Sequence, residues 1–178
     1  MTRSRRLLSV ALLPGTVAGV IPAVLALSAG TTVGWGLPGA AAAIPVLGGA
    51  LFLLAGLRLA WQTIALFGSA GEGTLAPWDP TRKLVVEGPY RRVRNPMITG
   101  VGLILLGEAA ILGSPAIAIE FGVFAALNAT YMPLVEEPGL LSRFGDEYAA
   151  YRAAVPRWVP RRTEWDRGQS DLPDGPAG

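Results

Sequence analysis

Four long blocks of apolar residues, separated by short polar or charged stretches, dominate the pattern of the chain. They run from Leu7 to about Ser28, from Pro38 to Leu57, from Met97 to Leu112 and from Pro115 to about Val135. About 20 apolar residues are needed to cross a bilayer as a helix, and most of the blocks roughly reach that length. The pattern predicts an all-α fold, an integral membrane bundle of about four transmembrane helices.

The stretch after the fourth block has a different period. Apolar residues recur every three or four positions there while charged residues fall on other faces, namely Leu141, Phe144, Tyr148, Tyr151 and Val155. We therefore expect a C-terminal amphipathic helix on the membrane surface, ended by Pro156 and Pro160. Residues 161–178 are mostly polar and lack an apolar period, which predicts a disordered tail after a single domain at 1–160.

Arginine and lysine are concentrated in every second segment that flanks or connects the apolar blocks. The amino terminus, the segment from Ser69 to Pro96 and the stretch after Val135 are basic, whereas residues 29–37 and 113–115 carry no charge. Basic residues beside transmembrane helices prefer the cytosol. We expect both termini and the loop before the third helix to be cytosolic, with the protein in the plasma (inner) membrane.

The first block has an alternative interpretation. Arg5 and Arg6 precede Leu7 and Leu8 as in a twin-arginine export signal, so the block could be a cleaved signal peptide. Its apolar run is long for a signal sequence, and arginines before a first helix are expected from topology alone. We favour a transmembrane helix.

Composition narrows the possible chemistry. The chain is 51% hydrophobic and 16% charged, with a mean hydropathy of +0.43, as expected for a protein whose solvent is the bilayer. Cysteine and histidine are both absent, which excludes disulfides, thiolate or imidazole metal sites and histidine-based catalysis. The net charge of +2 is too small to indicate a nucleic-acid partner. We expect neither nucleic acid nor metal to bind.

Most of the remaining polar signal lies in two segments, Gly88 to Gly102 and Glu136 to Pro160, which the predicted topology brings to one membrane face. Asn95 and Pro96 are suited to begin the third helix, whose free N–H groups and dipole favour an anionic group. In the second segment, Glu136 and Glu137 are two adjacent acids where the fourth helix leaves the membrane. This is an unfavourable end of the helix dipole, so we expect a neighbouring arginine or a cationic ligand to compensate.

A resemblance to the family of isoprenylcysteine carboxyl methyltransferases and phospholipid methyltransferases is carried by these segments. Its motifs are Gly88-Pro89-Tyr90, Arg94-Asn95-Pro96-Met97-Ile98-Thr99-Gly100, Glu136-Glu137 and Val155-Pro156-Arg157, and it covers roughly Gly73 to Pro160. The resemblance implies an integral membrane enzyme that uses S-adenosylmethionine.

The resemblance also implies particular site residues. The positions that match the family's cofactor shell are Leu84, Val85, Tyr90, Asn95, Pro96, Met97, Ile98 and Glu136. Gly100 and Gly102 resemble the Gly-x-Gly of the phospholipid enzymes, although close helix packing is an equally good explanation for them. Arg94 suits the cofactor's carboxylate. Glu137 and Arg157 are the candidate catalytic residues, with an interfacial anchor as the alternative for Arg157.

The chain departs from the family pattern at two motif positions. Asn95 stands where the family has histidine, and Ile98 where it has tyrosine. Asparagine can hydrogen-bond but cannot titrate, so a proton-transfer role is lost at that position. Met132 replaces an arginine that contacts the substrate in eukaryotic prenylcysteine enzymes, so the prenylcysteine substrate does not transfer to this chain.

These observations favour a membrane methyltransferase that moves a methyl group from S-adenosylmethionine to the carboxylate or amine of a lipophilic substrate at the cytosolic face. The alternatives are an NADPH-dependent lipid or sterol reductase-like protein and a non-catalytic membrane scaffold. None of these functions assigns a role to Glu108 and Glu120. They lie at similar depth near the turn at 113–115, where they either pair or reach towards water.

Overall fold

A computed structural model describes residues 12–69 and 84–166, which form helices and turns with no β-strand among them. The helices of this part of the chain are α1, with a π-helical turn at Thr16–Val20 followed by Ile21–Ala29, α2 at Ala43–Ser69, α3 at Pro96–Leu112, α4 at Pro115–Tyr131 and α5 at Glu137–Ala154. Short 3-10 turns occupy Val33–Gly36, Gly39–Ala42 and Gly88–Arg91, and a π-helical turn at Met132–Glu136 joins α4 to α5.

Three helical runs are long and apolar enough to cross a membrane, and the shorter α3 is apolar as well. The three runs are Leu12–Gly36, Gly39–Phe67 and Pro115–Ala154. Large apolar side chains on them are exposed at helical spacing, for example Leu47, Leu51 and Leu54 on α2 and Ile119, Val123 and Leu127 on α4. Rows of exposed apolar residues of this kind face lipid. The predicted all-α integral membrane bundle is confirmed.

Helix α3 lies at the centre of the bundle and packs against α1, α2 and α4. Its contact with α2 is very close, because glycines face each other across the interface. A Cβ added to Gly107 would lie 2.7 Å from the carbonyl oxygen of Gly49, and one added to Gly56 would lie 2.6 Å from that of Gly100. Contacts this close let backbones touch and allow dispersion forces to hold the helices together.

One end of the bundle, here called the turn end, is formed by the loops after α1 and α3. The backbone N–H of Thr32 donates to the carbonyl oxygen of Leu112 at 2.9 Å. Gly113 has a φ of 56° and lies so close to Thr32 that no side chain would fit. The predicted tight turn after α3 is therefore present, and it packs against the other uncharged loop. The opposite end, which carries residues 84–95 and α5, is called the motif end.

Helix α5 continues directly from α4, whereas the sequence predicted a separate surface helix. The run from Pro115 to Ala154 has 40 residues. At about 1.5 Å per residue it is roughly twice as long as the hydrocarbon core is thick, so α4 spans the membrane and α5 lies beyond it. Gly145 breaks α5 with a φ of 53° and a ψ of −131°, a conformation that favours glycine. The break turns Tyr148 and Tyr151 into the protein, where both are buried rather than spread on lipid.

Glu108 on α3 and Glu120 on α4 lie near the turn end, close enough for their charges to interact. One carboxylate oxygen of Glu108 and both of Glu120 are buried without a hydrogen-bond partner in the described part of the chain. Neighbouring atoms cover these three oxygens, so the expected reach towards water is not seen for Glu120 and is open to only one oxygen of Glu108.

Some predictions fall outside the described residues. These concern the amino-terminal arginines, the part of the basic loop at 70–83 with the start of the motif region at Gly73, and the tail at 167–178.

Candidate functional site

The chain after α5 returns to the segment that precedes α3. Residues 155–166, here called the strap, run beside residues 91–94. The backbone N–H of Arg94 donates to the carbonyl of Pro156, and the N–H groups of Arg161 and Trp165 donate to the carbonyls of Arg92 and Arg91, each at 2.9 Å. The two segments that carry the sequence motifs are therefore joined side by side at the motif end.

The end of the strap differs from the disordered tail predicted from residue 161. Trp165 is 7% exposed, and its ring centroid lies 5.6 Å from that of Tyr151. Arg91 forms ion pairs with Glu164 and Asp166 at 3.0 and 3.2 Å. Residues 161–166 are polar in composition, but the backbone bonds and this single aromatic anchor place them against the protein. No periodic signal in the sequence could have revealed it.

An apolar cluster joins the strap to α5. It consists of Tyr148, Tyr151, Val155 and Trp165, with Leu84 and Val86 packed against it. The hydroxyl of Tyr151 donates to the carbonyl of Tyr90 at 2.7 Å. Burial raises the pKa of Tyr151, so the phenol keeps its proton and this hydrogen bond.

Three charged residues form the centre of the motif end, and we call them the arginine clamp. The carboxylate of Glu137 accepts hydrogen bonds from Arg94 Nη1 at 2.6 Å and from Arg157 Nε at 2.6 Å and Nη2 at 3.0 Å. The exposed fractions of the side chains are 5% for Glu137, 10% for Arg94 and 29% for Arg157. The predicted catalytic pair Glu137 and Arg157 is therefore in direct contact, and an arginine compensates the acid as expected.

The clamp fixes the charges of its members. Burial by itself would raise the pKa of Glu137, but the hydrogen bond from Arg157 and the charges of both arginines outweigh it, so that pKa is lowered. The hydrogen bond to Glu137 raises the pKa of Arg157, against the opposing effect of burial. One carboxylate between two guanidinium groups leaves the clamp with a surplus positive charge.

Arg94 is turned into the protein. In addition to Glu137, its guanidinium donates to the carbonyl of Val155 at 2.9 Å and to the hydroxyl of Tyr148 at 3.4 Å. The residue predicted to meet the cofactor's carboxylate thus has most of its donors engaged by the chain itself.

Glu136 differs from its neighbour. It is partly buried, and its side chain has no ion pair or hydrogen bond among the described residues. Its charge reaches Tyr90, whose pKa is raised by burial first and by Tyr151 and Glu136 in addition. Tyr90 packs edge-on against Phe67 at the end of α2, with 6.0 Å between ring centroids. Tyr90 and Glu136 both belong to the predicted cofactor shell, and the carboxylate of Glu136 has no hydrogen-bond partner among the described residues.

The expected side-chain cap is missing at the start of α3. Asn95 occupies the N-cap position but makes no capping hydrogen bond. Instead its amide Nδ2 donates to the carbonyl of Arg157 at 3.4 Å, and the hydroxyl of Thr99 donates to that of Trp158 at 3.2 Å. The Asn95 amide thus bonds to the strap and makes no capping hydrogen bond to α3, whose free N–H groups begin at Met97 because Pro96 has no N–H.

The other residues of the predicted shell divide between the motif end and the bundle interior. Met97 and Val85 belong to one apolar cluster with Phe67 and Tyr90, while Leu84 packs below the strap. Pro96 is fully buried, and Ile98 is partly buried on the first turn of α3.

Gly100 and Gly102 face neighbouring helices rather than the open end. A Cβ on Gly100 would lie 3.1 Å from backbone atoms of Gly56 and Ala60, and one on Gly102 would lie 3.7 Å from Phe121. Both contacts are those of helix packing, so a cofactor contact by either glycine would use its backbone. That predicted cofactor role stays a prediction.

Among the described residues, no three aspartate or glutamate side chains lie close enough together to hold a metal ion. The polar groups that are available at the motif end are carboxylate, guanidinium, amide, hydroxyl and backbone N–H.

The fold and the motif end define an integral membrane protein with a polar site at one end of its helices, and comparison with known proteins gives the class. The sequence profile of the phospholipid methyltransferase family matches residues 44–147. The chain belongs to this family.

A curated relative supports the same family. The chain is 34% identical over 77 residues, 43% of its length, to a protein-S-isoprenylcysteine O-methyltransferase of Schizosaccharomyces pombe. The match covers 33% of that relative, so the chain spans about a third of the length of the curated protein it matches. No solved structure matches the chain.

Proposed function

We propose that the protein transfers a methyl group from S-adenosylmethionine to the carboxylate or amine of a lipophilic substrate at the cytosolic face of the plasma (inner) membrane. The observation that carries the proposal is the meeting of the two family motifs at one end of the bundle. The clamp and the strap bring the segment around Asn95 next to the segment around Glu136.

The groups at the motif end fit the charges of the cofactor. Glu136 offers a partly buried carboxylate with no partner among the described residues, which suits the ammonium group or the ribose hydroxyls. The first N–H groups of α3 lack a side-chain cap and suit the carboxylate. Tyr90 and Met97 supply apolar surface beside them. We therefore assign cofactor binding to Glu136, Asn95 and the start of α3.

With a carboxylate as the nucleophile, the reaction requires no proton transfer by the protein, whereas an amine must first lose its proton to solvent. When bound, S-adenosylmethionine supplies an electrophilic methyl group on a sulfonium, whose C–S bond breaks as the new bond to the nucleophile forms. A carboxylate nucleophile is ionised already and needs no general base, in agreement with a chain that has no histidine. The residues at the motif end accelerate such a reaction by orienting the reactants and by complementing their charges.

The clamp members have different parts in this proposal. Arg157 is the most exposed of the three, and the clamp has a surplus positive charge, so we assign to Arg157 the attraction of an anionic substrate group. Glu137 is enclosed by both arginines, and we assign to it the positioning of the site rather than contact with substrate.

A lipophilic substrate can approach from the bilayer. Tyr131, Leu134 and Val135 are exposed on the helix that leads to Glu136, with exposed fractions of 44%, 69% and 54%. This apolar surface directly precedes the polar site. Met132, at the position of the substrate-contacting arginine of prenylcysteine enzymes, is buried, so we do not extend the relative's prenylcysteine substrate to this chain.

The first test is ligand binding to the detergent-purified chain. Calorimetry and thermal shift with S-adenosylhomocysteine should show binding, and NADPH should show none. Glu136→Gln and Asn95→Ala should weaken binding, whereas Asp146→Asn, an exposed acid on α5, serves as the charge-matched control. A response to NADPH instead would favour the reductase-like alternative, and no response to either ligand would favour a scaffold.

The second test concerns the substrate. Incubation with a methyl-labelled donor and a lipid extract should label a lipid-soluble product, and alkaline hydrolysis separates a methyl ester from a methylated amine. If the chain binds S-adenosylhomocysteine but no lipid in the extract becomes labelled, a membrane lipid is not the substrate.

A further inference from the structure

One carboxylate ties together three segments of the chain at the motif end. Glu137 begins α5, Arg94 precedes α3, and Arg157 belongs to the strap. Arg94 also donates to the carbonyl of Val155 at the start of the strap. Removal of the carboxylate would leave two guanidinium groups close together without their common acceptor.

Each member of the clamp is adjacent to a residue assigned to the cofactor. Glu137 follows Glu136, Arg94 precedes Asn95, and the carbonyl of Arg157 accepts the hydrogen bond from the Asn95 amide. Successive residues of a helix point about 100° apart, so the burial of Glu137 in the clamp directs Glu136 to a different side. The clamp therefore sets the directions of the two polar side chains of the site.

Glu137 itself is not available to a ligand. Its side chain is 5% exposed, Oε1 accepts from both arginines and Oε2 accepts from Arg157. A contact with cofactor or substrate would require the clamp to open. This arrangement contrasts with that of Glu136, whose carboxylate has no such partners among the described residues.

We infer that Glu137 is a positioning residue, which docks the strap through Arg94 and Arg157 and thereby holds Asn95 and Glu136 in the geometry that binds the cofactor. The inference rests on the proposed function, because it concerns what shapes the same site. It predicts that the docking of the strap and the affinity for S-adenosylhomocysteine are coupled, and that each strengthens the other.

The chain offers a direct probe of the strap. It contains no cysteine, and Val155 is 1% exposed at the start of the strap. A Val155→Cys variant therefore has one thiol, close in size to valine, which is covered while the strap is docked. Its labelling by a membrane-impermeant maleimide in detergent measures how often the strap opens, and it does so whether or not a ligand binds.

Three substitutions in this background separate the roles. Glu137→Gln keeps the size of the side chain but replaces one carboxylate oxygen, which accepts from arginine, by an NH2 group, which cannot accept. We expect faster labelling and a weakening of S-adenosylhomocysteine binding on the order of tenfold to a hundredfold, as for a modest misplacement of site groups. Glu136→Gln should weaken binding while the thiol stays covered. Asp146→Asn should change neither.

A ligand titration tests whether the strap and the site are coupled. In Glu137→Gln, saturating S-adenosylhomocysteine should slow the labelling again, with a half-saturation point equal to the weakened Kd. Glu137→Asp, which retains the charge, should restore part of the protection and part of the affinity in the same proportion.

Two results would overturn the inference. One is a thiol in Glu137→Gln that stays as covered as in the parent, since the clamp would then not hold the strap. The other is fast labelling with unchanged affinity, because the strap would then not shape the site. If the parent chain does not bind S-adenosylhomocysteine, both the proposed function and the coupling are overturned. Faster labelling in Glu137→Gln would then still show that the clamp holds the strap, so the failure would be one of function and not of the clamp.

Discussion

The carboxylate of Glu137 accepts two hydrogen bonds from the guanidinium of Arg157, 2.6 Å from Nε and 3.0 Å from Nη2. This two-point contact links the start of α5 to the strap that follows it. A planar guanidinium can make such a contact with a carboxylate, whereas an ammonium group cannot. The identity of the cation therefore matters as well as its charge.

A first prediction compares two substitutions of Arg157. Arg157→Ala should lower the free energy of unfolding by about 2 kcal/mol, less than for a fully buried pair because Arg157 is 29% exposed and Arg94 remains. Arg157→Lys should recover only part of this loss. Denaturant unfolding in detergent measures both, with Arg152→Ala, an exposed arginine of α5, as control. Parent-like stability of Arg157→Lys would contradict the importance of the two-point contact.

A second prediction concerns pH. The pKa of Glu137 is lowered from 4.5, so its ionised form stabilises the fold above pH 4.5, and this contribution is lost as the pH falls below that value. The gap in melting temperature between the parent and Glu137→Gln should therefore be constant from about pH 8 to about pH 5 and shrink below it. Other carboxylates titrate in both proteins and cancel in the difference. A gap that changes near neutral pH would show that another group is responsible.

A third prediction tests the glycine contacts between α2 and α3. Gly107→Ala places a methyl group 2.7 Å from backbone atoms of Gly49 and Leu53, and backbone cannot move aside easily. We expect a loss of about 1–3 kcal/mol. Gly48→Ala, beside Gly49 on α2, meets nothing within 4 Å and should be neutral or slightly stabilising. Thermal unfolding of the two variants in the same detergent checks the difference in sign.

The membrane architecture could be predicted from the sequence because its signals are local. The length of an apolar block fixes a spanning helix, and Gly113 to Pro115 are too few residues for anything but a turn. The convergence of the motifs could be predicted from the distribution of arginines. These features need no knowledge of how side chains pack.

The details of the site were not predictable for a physical reason. Which of two adjacent acids is buried depends on where Arg94 and Arg157 lie in space, and only the fold brings those two within reach of Glu137. The docking of Trp165 depends on the break at Gly145, which turns Tyr151 inward. Asn95 has the right type for a helix cap, but it makes no capping bond and its amide donates to the strap instead.

A fourth prediction tests the strap through its aromatic anchor. Trp165→Ala removes a side chain that is 7% exposed and packed on Tyr151, and we expect a loss of about 3 kcal/mol of local stability. Trypsin should then cleave after Arg161 or Arg162 faster than in the parent. Val159→Ala, at a position that is 74% exposed, is the control within the strap. Equal cleavage rates would mean that Trp165 does not anchor the strap.

The last prediction concerns Glu108 and Glu120, whose buried oxygens have no hydrogen-bond partner in the described part of the chain. A buried polar group without a partner costs free energy, and two acids near each other add repulsion when both are charged. The double substitution Glu108→Met and Glu120→Met fills the same space with apolar side chains, so it should raise the free energy of unfolding by about 1–3 kcal/mol.

The two glutamates lie near the turn end, far along the bundle from the clamp, so binding of S-adenosylhomocysteine should not change in this double variant. Thermal unfolding in detergent and calorimetry measure the two effects separately. The double glutamine variant, which removes the charges but keeps polar groups in place, should gain less stability than the methionine variant. A less stable methionine variant would mean that the carboxylates have a stabilising partner, and weaker ligand binding would connect them to the site.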